Sequence, residues 1–191
     1  MSIPRAGSLV AVFALAFASS AAQSASPPPA KRMLDGKLWT TENLSVPVPA
    51  SYCYNDAEEN CRRYGRLYTW DAAPRACQAL GDGWRLPTNE EWRQLGTRYG
   101  GLRLESADLG KAAFTALIAG GSSGSAPCSA ADAPRRFGEY QRLDAHGFYW
   151  SATESGPDTA WLYNFGANGQ SVNRHENSQK WWAVSVRCVR D

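Results

Sequence analysis

From Thr69 to Trp92 the chain reads TWDAAPRACQALGDGWRLPTNEEW, and its apolar positions keep a helical rhythm on either side of a turn. Ala73, Ala76, Cys77 and Leu80 fall at the i, i+3, i+4, i+7 spacing that lines one face of a helix turned toward a core. Pro74 restricts where that helix starts, because proline is comfortable only in the first turn. Gly81 and Gly83 supply the backbone freedom that stops the helix and turns the chain. A second helix starts at Thr88. Thr88 and Glu91 have the spacing of a capping box, and Trp92, Leu95 and Tyr99 follow at helical intervals until Gly100 and Gly101 end the element.

Elsewhere the period shortens to two. Leu34 to Leu44 opens with an Asp-Gly turn and alternates as a strand, then Pro47 and Pro49 interrupt regular structure. Asn55 to Asn60 reads as an acidic loop. Gly147 to Glu154 sets Phe148, Trp150 and Ala152 against Tyr149, Ser151 and Thr153, and Thr159 to Phe165 is the next strand. Asn168-Gly169 tolerates positive φ and predicts a hairpin into Ser171, Val172 and Asn173. In Trp182 to Val189 the expectation is that Trp182, Val184, Val186 and Cys188 point inward and Trp181, Ser185 and Arg187 outward. Lys111 to Ile118 reads as a short helix or strand, and Gly120 to Ala133 as a long Gly/Ser/Ala/Pro loop carrying Cys128. The absence of a repeat at about 20 to 50 residues excludes solenoids and propellers.

The words GRLYTWDAA, GWRLPTNEEW, GFYWSATE and SVRCVRD occur in that order. With them the chain resembles the Fibrobacter succinogenes major paralogous domain (FISUMP) family, itself similar to bacterial secreted domains of C-type-lectin-like fold. The resemblance runs from about Met33 to Asp191. It implies an α+β domain of C-type-lectin-like architecture, two helices packed on twisted antiparallel sheet, working outside the cytoplasm. It carries over no catalytic residue. Formylglycine-generating enzymes look similar in architecture but depend on two active-site cysteines near the C-terminal end, where this chain has only Cys188.

The start of the chain fits that address. Arg5, the apolar run Leu9 to Ala18 and small residues through Ala25 form the pattern of a secretory signal peptide over residues 1–25, cut after Ala22 or Ala25. Residues 26–32, with three consecutive prolines, read as a stiff linker, and 33–191 as one domain. No apolar run reaches the roughly 20 residues of a membrane span. Leader removal takes only Arg5 from the charge count, so +2 becomes +1, with both signs interleaved. Neither a nucleic-acid patch nor a polybasic membrane segment is present. The expected destination is secreted or periplasmic.

Five cysteines, Cys53, Cys61, Cys77, Cys128 and Cys188, lie in the exported part, where disulfides persist. Spacing alone leaves their pairing open. In the C-type-lectin-like fold the first helix neighbours the final strand, which implies Cys77 with Cys188. Cys53 with Cys61 then closes a short loop, and Cys128 is left as a free thiol. No C-x-x-C occurs, and the chain has only two histidines, so zinc and redox motifs are missing. No cofactor is expected. Asp56, Glu58 and Glu59 offer oxygens of the kind calcium takes, but a solvated acidic loop is the commoner reading of such a run, since calcium wants six or more converging ligands.

Catalytic patterns are sparse. Ser151 is not in a nucleophile-elbow turn, and His146 and His175 have no motif around them. Carboxylate pairs such as Asp144 with Glu154 carry no specific signal. The candidate binding surface is Asn164 to Trp182, where Asn164, Asn173, Arg174, His175, Asn177, Gln179 and Trp181 combine amides with a ring. The E-P-N, Q-P-D and W-N-D motifs of calcium-dependent sugar-binding lectins are absent. The expected function is therefore an exported, non-catalytic binding or adhesion module of the cell envelope or extracellular space, with a glycan or protein partner. The alternatives are an extracellular hydrolase using Asp or Glu with His146 or His175, and a purely structural envelope component.

Overall fold

The computed structural model describes residues 28–98, 123–124, 140–141, 146–166 and 172–191. The expected leader, Tyr99, Lys111 to Ile118, Cys128 and the Asn168-Gly169 turn lie outside them. The described part is α+β, with antiparallel ladders and three α-helices among the described residues.

The chain enters through β1 (Ala30–Arg32) and β2 (Leu38–Thr40), with Lys31 opposite Trp39. Pairing thus starts within the stretch expected as linker, directly after its prolines. β11 (Val189–Arg190) lies on the other side of β2, with Val189 opposite the same Trp39. Both ends of the domain meet in this sheet, over a tryptophan that is fully buried.

A second sheet runs β3 (Ser51–Tyr52), β4 (Leu67–Tyr68), β10 (Ala183–Val184), β5 (Ser123–Gly124), β6 (Tyr140–Gln141) in spatial order. Ser123 and Gly124, expected in a loop, pair with β10. Between β3 and β4 the expected acidic loop is instead a 3-10 turn, Tyr54–Asp56, followed by α1 (Glu58–Tyr64). Glu58 and Glu59 in its first turn and Arg62 and Arg63 in its last complement the helix dipole, and Cys61 and Tyr64 bury one face. Two helices were expected on the sheet; this is the third.

The other two follow their sequence pattern. α2 (Ala72–Gln78) buries Ala72, Ala73, Ala76 and Cys77, with Pro74 in its first turn. Gly81 and Gly83 then adopt φ of 105° and 79°. α3 (Asn89–Arg98) opens on the capping box: Thr88 N–H donates to Glu91 Oε2 at 2.9 Å, and Glu91 N–H to Thr88 Oγ1 at 3.2 Å.

The third sheet is a meander of β7 (His146–Glu154), β8 (Thr159–Gly166) and β9 (Val172–Gln179). Its centre is covered on both sides. Trp150 and Leu162 face the main core with α2, Trp84 and Val186, whereas Tyr149 and Tyr163 meet Trp92 of α3. Trp92 also meets Trp39 edge to face, at 4.9 Å between ring centres. A register shift between Trp150 and Glu154 lets β7 leave its ladder partner, and the Ala152 N–H donates to Pro87 O at 2.7 Å.

The C-terminal segment departs from simple alternation. It forms two short strands rather than one, and Ser185 and Arg187, expected outside, are fully buried. The segment runs between layers: Tyr149 and Ser185 form a parallel bridge, and the Arg187 guanidinium carbon lies 5.4 Å from the centre of the Tyr149 ring. Arg187 Nη1 donates to Thr40 O at 3.4 Å, and burial pushes its pKa down. Half-exposed Trp182 packs against the core.

Candidate functional site

β9 carries most of the predicted binding residues. Asn173 was expected in the hairpin strand and the residues after it beyond that strand, but five of them lie on one eight-residue strand at the edge of the sheet as described. Side chains alternate along a strand, so these residues divide between its two faces. Asn173 pairs with Asn164 and His175 with Leu162 on one face, and Arg174 pairs with Tyr163 on the other. Asn173, Arg174, His175 and Asn177 are exposed, and Gln179 is half-buried opposite Thr159. Asn164 is turned inward at 5% exposure, where its Nδ2 donates to Gly147 O at 3.3 Å and its Oδ1 accepts from Asn173 at 3.5 Å. It tightens the ladder rather than lining an open surface. Trp181 lies past the strand, half-buried, edge-on to Trp182.

The arrangement has a centre that the sequence reading missed. Trp161, on β8, is half-buried, and the Arg174 guanidinium carbon stands 4.3 Å over its ring. Opposite Trp161 the register shifts, so that Glu176 and Asn177 on β9 face one residue of β8. Tyr163, beside Arg174, is anchored at its hydroxyl by Asn89, with Oδ1 at 2.8 Å and the backbone O at 3.0 Å. Burial raises the Tyr163 phenol to about 12, against the opposing pull of the nearby Arg174 charge. The pairing was recoverable from sequence: the pairs Asn164 with Asn173 and Tyr163 with Arg174 are symmetric about Asn168-Gly169, as a two-residue hairpin there requires.

A separate open cleft of about 570 Å³ lies between α2, α3 and β7, floored by Pro74, Leu86 and Ala152 and rimmed by Lys37, Thr88 and Gln94. Its charges are committed internally. Arg85 grips Glu91, Lys37 lies 3.4 Å from Glu91 and also pairs with Asp191, and Arg85 lies 3.3 Å from Asp191. Burial acts to raise the Glu91 carboxyl, but hydrogen bonds from Arg85 and Thr88 and the charges of Arg85 and Lys37 outweigh it and hold the group at about 2.

The candidate calcium ligands do not converge. Asp56 accepts from the Tyr140 hydroxyl at 2.6 Å, and Glu58 lies 3.7 Å from Arg66. Among the described residues, Cys53, Glu58 and Cys61 come within metal-ligand distance of one another. The two sulfurs are bonded to each other, which removes them as thiolate ligands. The second expected bridge, Cys77 with Cys188, is also formed. Of the hydrolase candidates, Glu154 pairs with Lys180 at 3.1 Å and His175 is exposed, while Asp144 lies outside the described residues, as does the His146 side chain.

The Fibrobacter succinogenes major domain matches residues 29–190, nearly the whole described span. The chain belongs to that family. No curated protein and no solved structure matches it. In this Fibrobacter succinogenes major domain the motif words prove to be framework. GWRLPTNEEW provides the Gly83 turn, the Arg85 to Val189 backbone bridge, the α3 cap and Trp92. GFYWSATE is the twice-covered strand β7, and SVRCVRD carries buried Arg187 and the bridged Cys188. The exposed residues of β9 lie outside all of these words.

Proposed function

We propose that this domain is an exported, non-catalytic binding or adhesion module of the cell envelope or extracellular space, C-type-lectin-like in architecture, whose ligand is a glycan or a protein. The observation that carries this reading is the Arg174–Trp161 pair: a cation stacked on an aromatic ring at the exposed edge of a sheet whose centre is packed on both faces. A rigid support of this kind holds its exposed groups in fixed geometry, which lowers the ordering cost of binding. Export is favoured by the leader-like start and by two disulfides, which persist in oxidising compartments. No helix among the described residues is long and apolar enough to cross a membrane.

The test is a glycan array together with a pull-down from envelope fractions, both with the folded mature chain. Saturable capture of a defined ligand, weakened by Arg174→Gln, is expected. A blank array and pull-down from protein whose melting transition is intact would overturn the reading.

A further inference from the structure

We propose that the face built from Trp161, Tyr163 and Arg174 takes a carboxylate-bearing sugar, a uronate unit of an acidic glycan; this rests on the binding-module reading and narrows its ligand.

Arg174 is exposed, yet its guanidinium is not loose. It stands 4.3 Å over the Trp161 ring, beside the Tyr163 phenol on which its charge acts. Tyr163 is itself fixed, stacked on Trp92 at 5.4 Å and bonded to Asn89. A stacked guanidinium keeps in-plane N–H donors in a fork that matches a carboxylate bidentately, and holding the rotamer in advance removes much of the entropy cost of binding. Among the described residues no carboxylate lies within ion-pair distance of Arg174.

The neighbouring charges explain why Arg174 is the available cation. Arg93, across Tyr163 on α3, is paired with Glu90, and Glu90 also accepts from Gln94 at 3.2 Å. Glu176 follows two residues along β9, exposed but outside ion-pair reach. The surroundings suit a hydroxylated ring. The half-buried indole offers an apolar surface beside the cation, and Asn177 in the β9 irregularity opposite Trp161 adds an exposed amide. A neutral sugar leaves the guanidinium fork unused, whereas a uronate fills it.

The experiment is calorimetric titration of the mature chain with an oligogalacturonide and with the same oligomer reduced at its carboxyl groups, alongside an acidic peptide. Arg174→Gln, Arg174→Lys and Trp161→Phe are measured in parallel, with thermal melts to show that each variant folds. The expected result is binding of the oligogalacturonide, at least tenfold weaker binding of the reduced oligomer, and at least a tenfold loss in Arg174→Gln. Arg174→Lys keeps the charge but loses the fork and is expected to fall several-fold. Equal affinity for both oligomers, wild-type affinity in Arg174→Gln, or binding of the peptide alone would each overturn the acidic-sugar assignment while leaving a binding module standing. Failure of both oligomers also overturns it, and only a blank array and pull-down in addition would remove the module reading.

Discussion

Arg85 holds Glu91 through two parallel N–H···O bonds of 2.7 Å each, Nη1 to Oε2 and Nη2 to Oε1. Glu91 at the same time accepts from the Thr88 N–H that opens α3, and Lys37 and Asp191 join the group from the two ends of the domain. One carboxylate therefore ties the helix cap to the sheet in which both ends of the domain meet.

A pH dependence follows from that carboxylate. Its folded pKa of about 2 lies below the ordinary 4.5, so ionised Glu91 stabilises the fold above the ordinary value, and this contribution is lost as pH falls from about 4.5 through about 2. The shift corresponds to about 3 kcal/mol. Urea midpoints measured between those pH values are expected to fall in wild type and to fall distinctly less in Glu91→Gln, which also starts lower at neutral pH. Parallel pH profiles for the two proteins would show that Glu91 does not carry the effect.

The two disulfides are expected to differ in weight. Cys77 and Cys188 are separated by 111 residues and Cys53 and Cys61 by 8, so the first constrains far more of the unfolded chain. Loop-closure entropy gives about 4 to 5 kcal/mol for the long bridge and about 2 to 3 for the short one. Chemical denaturation of the paired alanine variants under non-reducing conditions reads both, and an equal loss would contradict the entropic ranking.

Much of the helical framework was written locally. The capping box, the apolar face of α2 and the turn glycines are short-range patterns, and each states its own geometry. What escaped the sequence was long-range. The burial of Ser185 and Arg187 depends on layers supplied by residues far away in the chain, and alternation cannot report that both faces of a strand are covered. α1 is hard to see in the sequence because the acidic residues at its start also suit a solvated loop, although the basic pair a turn later completes a helix pattern. For the candidate surface the residue types were found and their grouping was not. Arg174 is among the candidates, but its partner Trp161 lies across a ladder, and treating Asn164 to Trp182 as one surface groups Asn164 with Arg174 although they occupy opposite faces.

Gly65 is a point where the backbone excludes a side chain. Its φ is +79°, and a Cβ there would stand 2.7 Å from Asn43 Cβ and 2.9 Å from the carbonyl oxygens of Asn43 and Leu44. Gly65→Ala is expected to cost about 3 kcal/mol, combining left-handed strain with displacement of the backbone against which α1 ends. Gly36 has a similar φ of +85° but open space around it, so Gly36→Ala should cost only the strain, about 1 kcal/mol. Thermal melts of the two variants separate the terms, and equal losses would mean that the contact at Gly65 relaxes freely.

Trp92 and Trp181 separate framework from surface. Trp92 is 1% exposed and has ring contacts with Trp39, Tyr149 and Tyr163 while its Nε1 donates to Trp150 O, so it joins α3 to the first and third sheets. Trp92→Ala is expected to lose about 4 kcal/mol, because the surrounding rings belong to separate elements and cannot close over the cavity together. Trp181 is half-buried with its ring edge-on to Trp182, and Trp181→Ala should change stability by about 1 kcal/mol or less. Denaturant midpoints of the two alanine variants make the comparison. If Trp181→Ala lowers the midpoint as far as Trp92→Ala, Trp181 is framework, and a loss of ligand in that variant would report unfolding. If the midpoint holds, the same loss reports a contact on the surface that β9 presents.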